Sequence, residues 1–239
     1  MELITFGRKD LPCLVFLHGW GGGFSSFSFF AKELSDKYFC VVVDFNSTIN
    51  SGKILWVSDF SDELKNELDL LGAKDITIIA HSFGGRVTAK FYEKYPGFVK
   101  KIVLIDSAGL PKKHNLWYYI KVRWFKFCKT LVKMHIISKE KLNSFGSPDY
   151  VKLNQTARKT FINIISEDLT NSFSKINVPT LIYWGENDKE TPLKMAKTLK
   201  KIIKPSELII EKDAGHFSYL TNPQKFIRII RCFMEEKYV

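Results

Sequence analysis

The sequence predicts an α/β protein in which a mostly parallel sheet carries helices on both faces. Short apolar runs alternate along the chain with longer segments whose apolar residues recur at helical spacing. Strict alternation of this kind is typical of parallel sheets, because each strand needs a helical crossover to reach its neighbour. The chain has 239 residues and 45% hydrophobic content, which suits one domain with an insert and a substantial core.

Each predicted element ends at residues that interrupt strands or helices. Residues 1–10 leave room for one strand or a short hairpin before the alternation starts. Gly72 stops one helix, and Pro96 and Gly97 close another. In chain order, strands are predicted over 11–17, 39–45, 76–80, 99–105, 180–184 and 208–211, and helices over 27–35, 57–71, 86–95, 193–203 and 223–236.

The junction after the strand over 76–80 is the most informative segment of the chain. Residues 80–84 read A-H-S-F-G, close to the pattern G-x-S-x-G of a nucleophile elbow. Such a turn holds its serine in a strained conformation, and it needs small residues because neighbouring backbone passes close. Alanine at position 80 is the mildest departure from glycine. We therefore predict that Ser82 is a nucleophile and not an ordinary helix N-cap.

A serine hydroxyl is a weak nucleophile unless a base takes its proton and an acid orients that base. In this architecture the partners follow in the order Ser, Asp, His. Asp188 lies just past the strand over 180–184, and His216 lies on the loop after the strand over 208–211. Both side chains would project from the carboxyl edge of the sheet, where Ser82 also stands. The sequence predicts His216 as general base and Asp188 as orienting acid.

Other polar residues at strand ends have alternative interpretations. Asp106 ends the strand over 99–105 and could reach the same histidine, so it is an alternative acid, although Asp188 is preferred. Asp44 is expected to anchor a loop. His18 is expected to bond to backbone and hold the glycine-rich loop that follows it, and His81 to pack or hydrogen-bond locally.

A pair of backbone N–H groups that binds a developing oxyanion is the third expected component. The strand over 11–17 runs into H-G-W-G-G-G over 18–23, whose glycines let N–H groups face a cavity. One donor of such a hole is the residue after the nucleophile, here Phe83, and the other comes from the loop after this early strand. Trp20 is the predicted second donor.

These motifs resemble those of the α/β-hydrolase superfamily, in its branch of small single-chain esterases with a helical cap. The resemblance covers nearly all of the chain, and its motifs occur in family order, each after a predicted strand, at 18–20, 80–85, 184–188 and 214–216. It implies an α/β-hydrolase sheet, a Ser–His–Asp triad and hydrolysis of an ester-like bond in a small molecule through an acyl-enzyme. It requires neither a cofactor nor a metal, and it identifies no substrate.

The resemblance also implies a core over 1–109, a helical cap or lid over 110–175, and the rest of the core over 176–239. The insert breaks the alternation and is aromatic and basic. A cap there would cover the serine and gate entry. The segment 116–134 is amphipathic, with an aromatic face and a basic face. We expect its apolar face to pack over the site, and a helix lying on a membrane surface is the alternative.

Charge is concentrated in that insert. The formal net charge is +11, and residues 110–175 hold 13 Lys and Arg against 4 Asp and Glu. A solvated surface explains this excess. Attraction of an anionic substrate or surface is the alternative, although no paired arginines suggest bidentate anion binding. No motif indicates a nucleic-acid partner, and the sequence leaves the oligomeric state open.

The sequence contains no pattern typical of a membrane span, a signal peptide or a metal site. No apolar run approaches the ~20 residues of a membrane span, and the charged start is unlike a signal peptide. The four cysteines are widely spaced without a C-x-x-C motif, which favours reduced, packed thiols in a cytoplasmic protein. No His/Cys cluster has the spacing of metal ligands.

Several other functions use related sequence features. Thioester hydrolysis, lactone hydrolysis and carbon–carbon cleavage of diketones would use the same machinery, and a non-catalytic small-ligand receptor could share the fold. Haloalkane dehalogenation is disfavoured, because that branch carries aspartate where Ser82 stands. A dinucleotide-binding oxidoreductase is disfavoured because Phe24 occupies the third glycine position of G-x-G-x-x-G.

Overall fold

Seven strands of the computed structural model, which describes residues 1–111 and 153–235, form one sheet in the order β1-β3-β2-β4-β5-β6-β7. β1 is antiparallel to β3, and every other neighbouring pair is parallel. The predicted fold class is therefore confirmed. The strands are β1 (Glu2–Phe6), β2 (Cys13–Leu17), β3 (Phe39–Asp44), β4 (Ile76–His81), β5 (Val99–Ile105), β6 (Thr180–Gly185) and β7 (Ser206–Glu211).

Helices cover both faces of this sheet. In the described residues they are α1 (Ser28–Leu34), α2 (Asn46–Ile49), α3 (Val57–Leu71), α4 (Phe83–Lys94), α5 (Gln155–Ser166), α6 (Thr170–Ser174), α7 (Leu193–Ile202), α8 (Ser218–Thr221) and α9 (Pro223–Glu235), with short 3-10 turns at Phe24–Ser26 and Pro96–Phe98. One apolar core joins the sheet to α3, α4 and α7, and the other joins it to α1 and α9. Along β2, Val15 faces the first core and Phe16 the second, as strand alternation requires.

The helix after Ser82 begins at Phe83, three residues earlier than the sequence predicted. Gly84 and Gly85 weaken helix propensity, which pointed to a later start. They nevertheless form the first turn of α4, and glycine is required there because this turn passes very close to β2. A Cβ added to Gly84 would lie 2.3 Å from the carbonyl oxygen of Leu17, so only glycine fits there without movement of the strand.

This close approach predicts a stability effect. We expect Gly84→Ala to lower the free energy of unfolding by about 1–3 kcal/mol, because the buried backbone of β2 has little room to move away. Gly97→Ala is the matched control, since a Cβ there would meet no atom within 4 Å. It should change stability by less than about 0.5 kcal/mol. Urea denaturation measures both, and equal midpoints for the two variants would contradict the proposed packing.

Two buried thiols lie in the central strands. Cys13 and Cys40 are free and buried, and burial raises the pKa of each to about 12. Both are therefore protonated and unreactive at neutral pH. Cys232 is free and exposed, whereas Cys128 lies outside the described residues.

The predicted cap over 110–175 falls largely on residues that the structure does not describe, including the whole amphipathic segment 116–134. Its last part is described and comprises α5 and α6. Across 1–111 and 153–235, no helix combines the length and apolar character needed to cross a membrane.

Candidate active site

Ser82 occupies the sharp turn between β4 and α4. Its backbone has φ +48° and ψ −107°, a conformation that L-residues rarely adopt. The turn is held on both sides, because the Ser82 N–H donates to the carbonyl of Ile105 at 3.0 Å and its own carbonyl accepts the N–H groups of Gly85 and Ala108. Such strain persists only where the surroundings enforce it, and it is frequent at functional sites. The turn presents the Ser82 side chain to a cavity.

The structure brings Ser82, His216 and Asp188 together in one hydrogen-bonded line. His216 Nε2 lies 3.0 Å from Ser82 Oγ, and His216 Nδ1 lies 2.8 Å from Asp188 Oδ2. The three residues come from the loops that follow β4, β7 and β6, all at the carboxyl edge of the sheet. This is the order and spacing in which an acid orients a base and the base accepts a serine proton.

Asp188 is buried beneath the histidine and is well supplied with hydrogen-bond donors. Burial acts to raise the pKa of its carboxyl, but hydrogen bonds from His216 and Thr191 outweigh this and hold the pKa below its usual value. Thr191 Oγ1 donates to Oδ2 at 2.6 Å, and the N–H groups of Glu190 and Thr191 donate to Oδ1 at 2.7 and 3.0 Å. Asp188 is therefore ionised at neutral pH and can stabilise an imidazolium.

Asp106, the alternative acid, has its carboxylate turned to other partners. Oδ1 accepts the N–H of Gly185 at 2.8 Å, and Oδ2 accepts the N–H and hydroxyl of Ser218 at 3.0 and 2.6 Å. The residue is fully buried, and burial raises the pKa of its carboxyl to about 6. The acid that hydrogen-bonds His216 in this structure is Asp188.

The loop after β2 is held by buried polar contacts, as the sequence suggested for His18 and Asp44. His18 Nδ1 lies 2.7 Å from the carbonyl oxygen of Gly19, and Nε2 accepts the N–H of Phe45 at 3.1 Å. Burial lowers the pKa of His18, which is consistent with a neutral ring carrying its proton on Nδ1. Asn46 donates its side-chain amide to the carbonyl of Gly22 and its N–H to Asp44.

His81 lies beside Ser82 but hydrogen-bonds locally. Its Nε2 is 2.7 Å from the carbonyl oxygen of His216, so it ties the strand before Ser82 to the loop that carries His216. Burial, and then the proximity of the His216 ring, lower the pKa of His81 to about 3. The ring is therefore neutral throughout the physiological pH range and carries its proton on Nε2.

The two residues predicted to form the oxyanion hole border the same cavity as Ser82. Phe83 is the first residue of α4, so its N–H belongs to the donors that have no partner within a helix. Trp20 lies on the loop held by His18. The Trp20 and Phe83 rings also touch, edge to face, with centroids 5.6 Å apart.

The cavity above Ser82 has a volume of about 990 Å³, and most of its described lining is apolar. Apolar lining residues include Trp20, Phe83, Leu110, Phe161, Ile162, Ile165, Met195 and Phe217.

Arg86 also lines this cavity, and its guanidinium is held by hydrogen bonds to the end of a helix. It donates to the carbonyls of Ile164 and Glu167 at 2.7 and 2.9 Å, at the C-terminal end of α5. The positive charge thus complements the helix terminus.

Comparison with known families agrees with this architecture. A family model described as "alpha/beta hydrolase fold" matches residues 12–127 and 109–223, most of the chain. The chain belongs to the alpha/beta hydrolase family. The resemblance inferred from the elbow and from the residues after β2, β6 and β7 is thereby confirmed at the level of the superfamily.

Relatives of this alpha/beta hydrolase have diverse activities. Epoxide hydrolase 1 of Caenorhabditis elegans is 25% identical over 278 residues, covering 99% of this chain and 68% of the relative. Lipase 3 of a Moraxella species is 27% identical over 227 residues, covering 85% and 71%. The esterase EaEST of Exiguobacterium antarcticum has a similar structure, with a TM-score of 0.73, 18% identity and coverage of 98% and 95%. At that identity the structural likeness shows the fold alone.

Sequence reasoning on this alpha/beta hydrolase missed Thr191 and the contacts of Arg86. Thr191 carried a usable signal, because it lies three residues after Asp188, where a side chain can turn back onto an aspartate. The contacts of Arg86 with α5 carried none, since they join residues about 80 positions apart in the chain.

Proposed function

We propose that the protein is a serine hydrolase that cleaves a carboxylic ester, or a similar acyl bond, of a small molecule. The observation that carries this proposal is the hydrogen-bonded line from Ser82 through His216 to Asp188, at 3.0 and 2.8 Å. A strained serine between a strand and a helix, a histidine and an ionised aspartate are the parts that nucleophilic acyl transfer needs.

In the proposed reaction, Ser82 Oγ attacks the carbonyl carbon while His216 Nε2 takes the hydroxyl proton. The charge that develops on the carbonyl oxygen is bound by the backbone N–H groups of Trp20 and Phe83. His216 then gives its proton to the leaving alcohol, which leaves an acyl group on Ser82. A water molecule, deprotonated by His216, releases the acid and restores the serine. Asp188 keeps the imidazole in the required tautomer throughout.

We also propose that residues 110–175 form a cap over this site. Two features of the described part support the proposal. Phe161, Ile162 and Ile165 of α5 line the cavity, and the C-terminal end of α5 is tied to α4 by Arg86.

A predominantly apolar cavity favours a neutral acyl group over a charged one, because an unpaired charge buried there would lose its hydration.

Hydrolysis of p-nitrophenyl esters with acyl chains of increasing length tests the proposed function. We expect turnover by the wild type, with an optimum chain length that reports the size of the acyl pocket. Because Ser174 is exposed on α6, Ser174→Ala is a control with the same chemical change as Ser82→Ala at a site remote from the cavity. A folded wild type that turns over no ester of the series would contradict ester hydrolysis, and panels of thioesters and diketones would then separate the alternatives.

A further inference from the structure

Asp106 makes three hydrogen bonds through its carboxylate at the centre of the carboxyl edge of the sheet, although it is outside the proposed triad. Its carboxylate accepts the N–H of Gly185 and both donors of Ser218. The Thr191 hydroxyl, which donates to Asp188, lies 3.0 Å from the backbone carbonyl oxygen of Asp106. The Asp106 side chain is fully buried.

These partners lie at the start of the loop that carries Asp188 and at the end of the loop that carries His216. Gly185 ends β6, three residues before Asp188, and Ser218 begins α8, two residues after His216. One carboxylate therefore joins both loops to β5. The loops also approach each other closely, because a Cβ on Gly185 would lie 2.1 Å from the carbonyl oxygen of Gly215.

We propose that Asp106 is a positioning residue whose carboxylate fixes the loops of Asp188 and His216 relative to each other, so that the imidazole lies between Ser82 and Asp188. This inference rests on the proposed function. The distances involved leave little tolerance, since a displacement of about 1 Å at a reacting group can cost on the order of a hundredfold in rate.

The ionised form of Asp106 suits this role. Oδ2 accepts two donors from Ser218, and a proton on that oxygen would occupy one of the two positions. Burial is the main cause that raises the pKa of the Asp106 carboxyl to about 6. The hydrogen bonds from Ser218 and Gly185 act to lower this pKa, and the nearby charge of Asp188 acts to raise it. Among the described residues, the phenols of Tyr183 on β6 and Tyr219 on α8 also interact electrostatically with Asp106.

Asp106→Asn tests the inference with a side chain of the same shape. Whichever way the amide is turned, its NH₂ group takes the place of one carboxylate oxygen. That NH₂ group then faces the backbone N–H of Gly185 or of Ser218, and two donors cannot hydrogen-bond each other. We expect kcat per active site to fall about tenfold, with KM changed by less than about twofold. Active sites are counted with a fluorophosphonate that reacts with Ser82, so that misfolded protein does not enter the rate. If Asp106 only stabilised the fold, Asp106→Asn would lower the fraction of protein that reacts with the fluorophosphonate and would leave kcat per active site unchanged.

Glu211→Gln is the matched control, because it also converts a buried carboxylate to an amide at a strand end on the same edge of the sheet. The Glu211 carboxylate hydrogen-bonds Tyr183 and Lys225, and it contacts neither Gly185 nor Ser218. We expect its rate per titrated site to equal that of the wild type. A decrease as large as that of Asp106→Asn would overturn the inference.

Ser218→Ala keeps the inference falsifiable if Asp106→Asn does not fold. It removes the hydroxyl that donates to Asp106 and keeps the backbone N–H, so we expect a loss of about threefold per site. Where Asp106→Asn does fold, the double variant should be no slower than Asp106→Asn alone, because both changes act on one contact. An unchanged rate per site in Ser218→Ala would overturn the inference. A wild type without turnover would instead overturn the proposed function, and this inference with it.

Discussion

Ser82→Ala is expected to lower kcat for ester hydrolysis by about 10⁶-fold, to the residual rate that the oxyanion hole and substrate binding support. The loss is this large because no other hydroxyl in the described part of the chain hydrogen-bonds His216 Nε2. His216→Ala should cost about as much, and the double variant little more, since the two residues act as one unit. Initial rates at saturating p-nitrophenyl ester measure all three variants.

The change at Ser82 removes one oxygen from a side chain that is part of the cavity wall, so the fold should be retained. Circular dichroism and the urea midpoint check this, and Ser174→Ala should hydrolyse the ester as the wild type does. Activity retained in Ser82→Ala above about 1% of the wild-type value would contradict the assignment of the nucleophile.

Asp188→Asn is expected to lower kcat by about 10⁴-fold while leaving the local shape intact. The amide can turn its NH₂ toward His216 Nδ1, which then becomes an acceptor and leaves the proton on Nε2. That tautomer cannot take the proton of Ser82. Asp188 does not line the cavity above Ser82, so KM should change little.

Comparison with Asp106→Asn discriminates between the two candidate acids. Asp188 hydrogen-bonds the imidazole and Asp106 does not, so we expect losses of about 10⁴-fold and about tenfold, respectively. Rates per titrated site for both variants under one set of conditions make the comparison. A larger loss in Asp106→Asn than in Asp188→Asn would contradict the assignment of Asp188 and place the orienting acid after β5.

Much of the fold could be predicted because apolar periodicity reports burial directly. The helix Val57–Leu71 and the strand Val99–Ile105 agree with the predicted bounds residue for residue. Bounds differed where tertiary contacts outweigh local preference. α4 begins at Phe83 although the glycines that β2 requires by its close approach weaken helix propensity. β7 begins at Ser206, two residues before the predicted start, because it pairs with β6 from Thr180 onward.

The residues of the candidate site could be predicted where each one directly follows a strand in the sequence. Ser82, Asp188 and His216 each follow a predicted strand, and parallel strands deliver their carboxyl ends to one edge. The role of Asp106 could not be predicted in the same way. Its contacts with Gly185 and Ser218 depend on how three loops pack, and the sequence pattern indicated only that Asp106 could be an alternative acid.

Trapping of the acyl-enzyme is the measurement that tests the role of Ser82 as nucleophile most directly. Wild-type protein is mixed with a p-nitrophenyl ester, quenched with acid within the first turnovers, digested and analysed by mass spectrometry. We predict an acyl group on the peptide that contains Ser82, and none at that position in Ser82→Ala. An acyl group found on another residue, or turnover that persists with Ser82 unmodified, would contradict nucleophilic catalysis by Ser82.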